Sequence, residues 1–295
     1  MASKKPRLFD VAHGTGHGDY DMAVIPSRLG GFLAAGTGLQ QDYGSLARVA
    51  LTGEVVWAVN APNYGGRWTG IAELSDGRIA VCADYSTYPV RVLDSQGKVL
   101  FTLNAGWGDP HAIKVMPNDG LAVVGSNSPE IINANIGRIA TYTDQAQPVW
   151  DLKPSGLKTC QALTVRANAD LEVWCIGANS SGKDYDMIRV VVSPAVQVLA
   201  SDHFATPTDV INLSHNIDAD GNTYIAATLL PSLSSSAKSL VHLYKFDAKG
   251  SLVWQRIVTN NNKSLVALSI AITSSGPVLV GNADRLRNSD LSSTA

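Results

Sequence analysis

The chain has 295 residues, of which 45% are hydrophobic and 16% are charged. The hydrophobic content is ample for a core, while the charged fraction is below the usual quarter of a globular protein. The formal net charge is −2, which argues against a nucleic-acid partner because such proteins need a basic stripe. No apolar stretch is long enough to be inserted in a membrane.

The start of the chain, from Met1 to Asp10, lacks the apolar core of a signal peptide. The sequence therefore predicts a protein that is made in the cytoplasm. It either stays there or leaves by incorporation into a virus particle.

The three cysteines, Cys82, Cys160 and Cys175, lie in or beside apolar runs and show no CxxC spacing. An odd number without metal-ligand spacing favours buried free thiols over a metal or redox role.

A β-hairpin pattern recurs along the whole chain, with two strands of small and β-branched residues around a turn. Successive turns are spaced by about 43 to 55 residues, which fits propeller blades of four strands each. The six turns centre on Gly31, Gly77, Gly120, Asp170, Gly221 and Gly276.

A second strand pair follows each of the first five hairpins and ends on a strand with a large aromatic residue. The aromatics are Trp57, Phe101, Trp150 and Trp254, and the fifth copy, within 188–204, is degenerate. A large ring on an outer strand can pack against the next blade and bury roughly 150–250 Å². The pattern predicts that these four rings join neighbouring blades.

The sixth copy lacks its closing strand, and residues 6–13 form a strand without a blade, with Phe9 in the aromatic position. We expect this strand to complete the last blade beside residues 285–291, which would remove an open sheet edge. The predicted fold is all-β, a six-bladed β-propeller of four-stranded antiparallel blades in a single domain over residues 1–295. Its predicted blades are 21–60, 69–104, 111–153, 160–205, 210–258 and 264–292.

Two short segments resemble known propeller repeats. Residues 47–57 resemble the tryptophan-docking repeat of the quinoprotein (PQQ-like) propellers, and the turn at 218–222 is similar to turns of NHL-type and lactonase-type propellers. The resemblance implies a propeller scaffold. It implies no cofactor, because the quinone-binding enzymes use eight blades and two adjacent cysteines, which this chain lacks. The matching residues of the first segment are Ala47, Thr52, Gly53 and Trp57.

The side of the propeller that holds the connections between blades is rich in aromatic residues, and we call it the loop face. Rings interleaved with short polar side chains suit the recognition of carbohydrate or protein. The alternative is that these rings cap the blades and fill the channel mouth. The candidate ligand-binding residues are Tyr20, Tyr64, Arg67, Trp68, Tyr85, Tyr88, Trp107, Asp109, His111 and Tyr185.

Histidine and aspartate also gather in the first channel-facing loops. Imidazole and carboxylate together can bind a transition metal or transfer protons, but His–Asp pairs are also common structural hydrogen bonds. His203, His215 and His242 lie on or near strands, which favours structural roles. The residues of the loop group are His13, His17, Asp19, Asp21, Asp109 and His111.

No nucleophile elbow, phosphate-binding loop or HExxH motif is present in the sequence. The sequence therefore favours a non-enzymatic recognition or assembly module without a cofactor or metal. A bacteriophage tail or head accessory protein fits best, with a host glycan or other virion proteins as partners. One alternative is a lactonase-like hydrolase with a divalent metal at the channel mouth. Another is a scaffold comparable to the outer-membrane assembly propellers, which would require export.

Overall fold

A computed structural model describes residues 20–38, 43–60, 68–83, 86, 88–103, 108–127, 136–178, 185–230, 238–259, 264–273 and 276–282. These residues form 22 β-strands. No helix among them is long and apolar enough to cross a bilayer.

The first three sheets each contain four antiparallel strands in sequence order. We number them as blades 1 to 3. Blade 1 holds β1 (Tyr20–Pro26), β2 (Phe32–Gly38), β3 (Tyr43–Val49) and β4 (Val55–Asn60); blade 2 holds β5 (Trp68–Glu73), β6 (Ile79–Ala83), β7 (Val90–Leu93) and β8 (Val99–Leu103); blade 3 holds β9 (Asp109–Val115), β10 (Leu121–Ser126), β11 (Gly137–Tyr142) and β12 (Pro148–Leu152).

Blades 4 and 5 repeat this arrangement, and blade 6 shows two strands. The six consecutive sheets are the blades of a six-bladed β-propeller, as the sequence predicts. Blade 4 holds β13 (Leu157–Val165), β14 (Leu171–Ala178), β15 (Tyr185–Val192) and β16 (Val198–Phe204); blade 5 holds β17 (Asp209–Ile217), β18 (Thr223–Leu230), β19 (Leu240–Phe246) and β20 (Leu252–Val258); blade 6 holds β21 (Val266–Thr273) and β22 (Gly276–Asn282).

Most hairpin turns share one hydrogen-bond pattern. In the turn from Leu74 to Arg78, the N–H of Leu74 bonds to the C=O of Arg78 and the N–H of Gly77 bonds to the C=O of Leu74. The fourth residue of this turn adopts a positive φ, which glycine tolerates best. Glycine takes this position in six turns, as Gly77 does, and Asp119, Ala146, Ala169 and Val196 take it in four others. All these turns lie on one side of the propeller, which we call the turn face.

The apolar core lies between the blades. Five clusters of buried side chains each join two consecutive blades, from blades 1 and 2 to blades 5 and 6. Trp57, Phe101, Trp150 and Trp254 each pack against the cluster shared with the following blade. The predicted role of these four rings in joining neighbouring blades is confirmed.

A buried ionic network also joins blade 4 to blade 5. Glu172 accepts bonds from Arg166, from Arg189 at 3.1 Å and from the indole of Trp174 at 3.0 Å. Burial raises the pKa of Glu172, but the two guanidinium groups outweigh it and hold the pKa below its usual value. The backbone of Gly250 from blade 5 packs against Arg189, so that a Cβ on Gly250 would overlap the guanidinium.

Cys160 and Cys175 form a disulfide, so the expectation of three free thiols is wrong for this pair. The two residues lie directly opposite each other on β13 and β14, with their Cα atoms 3.9 Å apart. They flank the hairpin turn almost symmetrically, and a bulge beside Cys160 shifts the register by one residue. Cys82 is a buried thiol outside the disulfide, as expected.

Blades 6 and 1 each carry an apolar surface that no described blade covers. Val24 of β1 is 55% exposed, although its equivalents Ile71 and Ile113 in blades 2 and 3 are buried. Leu279 of β22 packs towards blade 5, so its neighbours Val278 and Val280 point the other way and are exposed. The closing strand expected at 6–13 and its neighbour at 285–291 lie outside the described residues.

The first prediction concerns Val196, which takes the fourth position of a blade 4 turn with a φ of 65°. A β-branched residue is disfavoured there, so Val196→Gly should raise the free energy of unfolding by about 1 kcal/mol. Chemical denaturation measures this change. Ala195→Gly in the same turn is the control and should lower stability, since no positive φ is relieved.

The second prediction concerns the closing strand. If residues 6–13 cover the apolar surfaces of Val24, Val278 and Val280, deleting residues 1–13 should lower stability by at least about 3 kcal/mol and promote aggregation. Deleting only residues 1–5 should change neither property. Thermal unfolding with light scattering compares the three chains, and equal behaviour of all three would exclude this closure.

Candidate functional site

The inner strand of each blade lines the central channel and carries a β-bulge near its loop-face end. A bulge leaves one residue unpaired and re-aims its side chain. The bulges therefore place one extra residue per blade around the channel mouth. In blades 2 to 6 the bulged residues are Thr69, His111, Gln161, Ile211 and Leu268.

Side chains at the bulges bond to the backbone of the next blade. The Thr69 hydroxyl donates to the C=O of Pro110 at 2.5 Å. The Gln161 side chain accepts the N–H of Leu213 at 2.7 Å. In blade 5, Asn212, next to the bulge, donates to the C=O of Ala267 at 2.6 Å. These polar groups hold neighbouring blades together and are already engaged in hydrogen bonds.

Asp109 and His111 differ from those groups because they retain hydrogen-bonding capacity. Both lie at the loop-face end of β9, with His111 Nε2 3.5 Å from Asp109 Oδ2. The second oxygen, Asp109 Oδ1, is buried and has no hydrogen-bond partner in the described part of the chain. A buried carboxylate oxygen without a donor is costly. The Asp109 side chain as a whole is 18% exposed, so a ligand at the channel mouth can reach the carboxylate.

Tyr185 and Asp209 meet at the loop face between blades 4 and 5. The backbone N–H of Tyr185 donates to Asp209 Oδ1 at 2.9 Å. Burial of the half-buried ring and the negative charge of Asp209 raise the pKa of the Tyr185 hydroxyl. The phenol is therefore neutral at physiological pH and lies close to a carboxylate.

Four of the ten candidate residues have described side chains on the loop face, namely Tyr88, Asp109, His111 and Tyr185. Tyr20 begins β1, and only its backbone is described. Tyr64, Arg67, Tyr85 and Trp107 lie outside the described residues. Of the six residues in the His/Asp loop group, only Asp109 and His111 have described side chains.

Trp68 requires a correction, since the sequence places it on the loop face. Its ring is fully buried in the cluster between blades 1 and 2. A Cβ on Gly44 would overlap this ring, so the glycine provides the space in which it packs. The Arg91 guanidinium lies 6.0 Å from the ring centroid. Trp68 therefore joins two blades.

Metal ligation would require several donors to converge. Within the described ranges, no group of three His, Cys, Asp or Glu side chains is arranged to hold a metal ion. Asp109 and His111 could supply two ligands, while the other members of their predicted group lie in residues 13–21, whose side chains are not described.

Sequence reasoning missed two features of this surface. One is the ring of bulges, which appears only when the strands are paired. The other is His203, which donates from Nε2 to the buried Asp186 at 2.9 Å and is 44% exposed. The histidine and the aspartate are 17 residues apart, and only the pairing of β15 with β16 brings them together.

Deeper in the channel wall, His215 bonds to the hydroxyl of Thr164 at 2.8 Å across blades 4 and 5. Its equivalents in blades 3 and 4, Ile113 and Leu163, are aliphatic core residues. Desolvation, assisted by the positive charge of Lys114, lowers the pKa of His215 to about 4. His215 is therefore neutral at physiological pH.

Comparisons with known proteins agree with the fold. No family model matches the chain, and no curated protein matches it. A streptogramin B lyase structure is 11% identical, with 90% of this chain and 91% of that chain covered and a TM-score of 0.52. BBS1N, solved in complex with ARL6DN, is 11% identical, with 86% and 75% covered and a TM-score of 0.50.

A third structure, the Cps50 (Swd1) β-propeller domain of Myceliophteria thermophila, is 13% identical over 86% of this chain and 90% of that chain, with a TM-score of 0.49. At such low identity, the likeness to the lyase and to BBS1N extends to the β-propeller fold alone.

The third prediction follows from His215. Its folded pKa lies below the unfolded value of 6.5, so on acidification the unfolded state binds a proton first and stability falls. Between pH 7 and pH 5, wild type should lose about 2 kcal/mol more than His215→Leu, in which the ionisable group is absent.

Thr164→Val is the control for this experiment, because it removes the hydrogen bond and keeps the imidazole in its interface. It should retain the wild-type pH dependence in chemical denaturation. Identical pH dependence of wild type and His215→Leu would contradict the buried neutral state of His215.

Proposed function

We propose that this chain is a non-enzymatic recognition module that binds a surface glycan through its loop face. We place it on a virion, as a bacteriophage tail or head accessory protein. The observation that carries the proposal is the pair of polar side chains at the channel mouth, Asp109 and His111, which are 18% and 25% exposed and lie 3.5 Å apart.

A sugar hydroxyl is a suitable donor for Asp109. Hydrogen bonds from neutral donors to a carboxylate are about twice as strong as neutral pairs, and the Asp109 side chain is 18% exposed. The nearby imidazole of His111 adds a second polar group. Half-buried rings such as Tyr88 and Tyr185 offer apolar faces on which a pyranose can stack.

The described polar groups of the channel support binding in preference to bond-breaking chemistry. Thr69, Gln161, Asn212 and His215 all bond to a neighbouring blade. A group held in an inter-blade bond must break it before it can transfer a proton or bind a metal. These polar groups of the channel wall thus hold the blades together, and Asp109 and His111 are the residues that we expect to bind a ligand.

The disulfide supports a working location outside a reducing cytoplasm. Disulfides are rare in cytosolic proteins and persist in oxidising surroundings, which include the surfaces of virions. The Cys160–Cys175 bridge is consistent with a protein that acts after release from the cell. Docking onto other virion proteins would use surfaces other than the glycan site.

The competing function is a lactonase-like hydrolase with a divalent metal at the channel mouth. Asp109 and His111 could be two of its ligands, and one structural neighbour is a streptogramin B lyase. Elemental analysis of protein purified without chelators distinguishes the two functions. One equivalent of divalent metal that is lost in Asp109→Asn would favour the hydrolase.

The fourth prediction concerns Asp109. On an array of bacterial surface glycans, the wild-type protein should bind a defined set, and Asp109→Asn should weaken that binding at least about tenfold because a charged acceptor is lost. Its melting temperature should stay at or above that of wild type, because the unpaired carboxylate costs stability in the free protein.

Asp220→Asn is the matched control, since it makes the same charge change at an exposed position on the turn face. It should bind as wild type does. Absence of glycan binding by the wild-type protein, or unchanged affinity of Asp109→Asn, would contradict the proposal.

A further inference from the structure

Lys114 lies on β9, the inner strand of blade 3, which lines the central channel. It stands two residues before the hairpin turn that begins at Met116. Blades 1, 2, 4 and 5 share this turn pattern, and their residues at the same place are uncharged. Lys114 is therefore the one charged residue at this level of the channel in blades 1 to 5. The four uncharged equivalents are Ile25, Ala72, Thr164 and Asn216.

The side chain of Lys114 leaves β9 towards blade 4. Lys114 is directly opposite Ala122, which belongs to the cluster between blades 3 and 4, and paired residues share one face of a sheet. Thr164, its equivalent in blade 4, lies 2.8 Å from Nε2 of His215 in the following blade. The residue of blade 4 equivalent to His215 is Leu163, an aliphatic member of the core. Blade 4 thus offers the ammonium group no imidazole at the equivalent place.

The Lys114 ammonium group is accessible but poorly solvated. The residue is exposed, yet desolvation by the surrounding blades lowers its pKa, and no charge or hydrogen bond within the described ranges opposes that shift. Both conditions hold together inside a channel, where solvent is present but confined by protein. A cation without a counterion is costly in such surroundings.

The charge of Lys114 also acts on the wall of blade 5. It contributes to the lowered pKa of His215, which places the ammonium group close to that imidazole. Glu172 acts on His215 as well, but this carboxylate is bonded to Arg166 and Arg189. This part of the channel therefore contains a cation whose charge no described carboxylate balances.

We propose that the central channel binds the carboxylate group of a small organic acid at Lys114. A carboxylate carries one negative charge, which balances a single ammonium group. A phosphate group carries about −1.5 to −2 charges near pH 7 and would leave an unbalanced charge in a confined channel. Lys114 lies three residues beyond His111 towards the turn face, about 10 Å along the strand. The site is thus separate from the glycan site and does not depend on it.

The test follows the lysine side chains by NMR in protein with ¹³C-labelled lysine, titrated with acetate at constant ionic strength with chloride as the balancing anion. The Lys114→Met variant identifies the signal of Lys114. Acetate should shift this signal in wild type and raise the pKa of Lys114, because a nearby anion favours the charged form. Acetamide, which has the shape of acetate without its charge, should leave the signal unchanged. Phosphate should bind at least about threefold more weakly than acetate.

Lys98 is the matched control, since it is an exposed lysine in a turn of blade 2. Its signal should not respond to acetate. Acetate should raise the melting temperature of wild type and of Lys98→Met, and should leave that of Lys114→Met unchanged.

Each result decides the proposal. A response confined to Lys114, with acetate more effective than phosphate, supports it. Equal responses of Lys114 and Lys98, equal effects of acetate and acetamide, or tighter binding of phosphate would overturn it. None of these results involves glycan binding at Asp109, so this inference and the proposed function can each fail alone.

Discussion

Each blade has an apolar face that only the next blade can cover, and the whole structure depends on this contact. The five clusters lie between blades, and the outer-strand aromatics reach into the following cluster. Hydrogen bonds at the bulged inner strands, such as the one from the Thr69 hydroxyl to the C=O of Pro110, fix the relative position of blades that pack through apolar side chains. A blade on its own would expose the apolar side chains that the next blade covers.

This constraint decides which residues are available for function. Polar residues within the interfaces, such as Gln161 and His215, are bonded to a neighbouring blade. Asp109 and His111 lie at the loop-face end of β9, where the apolar contact stops. An unpaired carboxylate oxygen reduces stability, and natural proteins accept such a cost at binding sites.

Much of the fold could be predicted from the sequence because its signals are local. Turn residues such as Gly77 and Gly221 take a positive φ, and the outer-strand aromatics recur at a fixed place in the repeat. Glycine at such turns and one large ring per blade are visible without knowledge of the neighbouring blade.

The errors arose where the answer depends on residues distant in sequence. Trp68 is buried because Gly44, on another blade, leaves room for its ring. Cys160 and Cys175 face each other only after a bulge shifts the register of their hairpin. Asp186 orients His203 through strand pairing. Neither composition nor repeat spacing contains this information, so the candidate site was predicted less completely than the fold.

The central claim is that the loop face is the recognition surface, and hydrogen–deuterium exchange with and without a bound glycan tests it most directly. The account predicts that the ligand slows exchange in residues 108–112, while the turns at 74–78 and 218–222 exchange unchanged. Protection confined to the turn face or to the outer strands would contradict it.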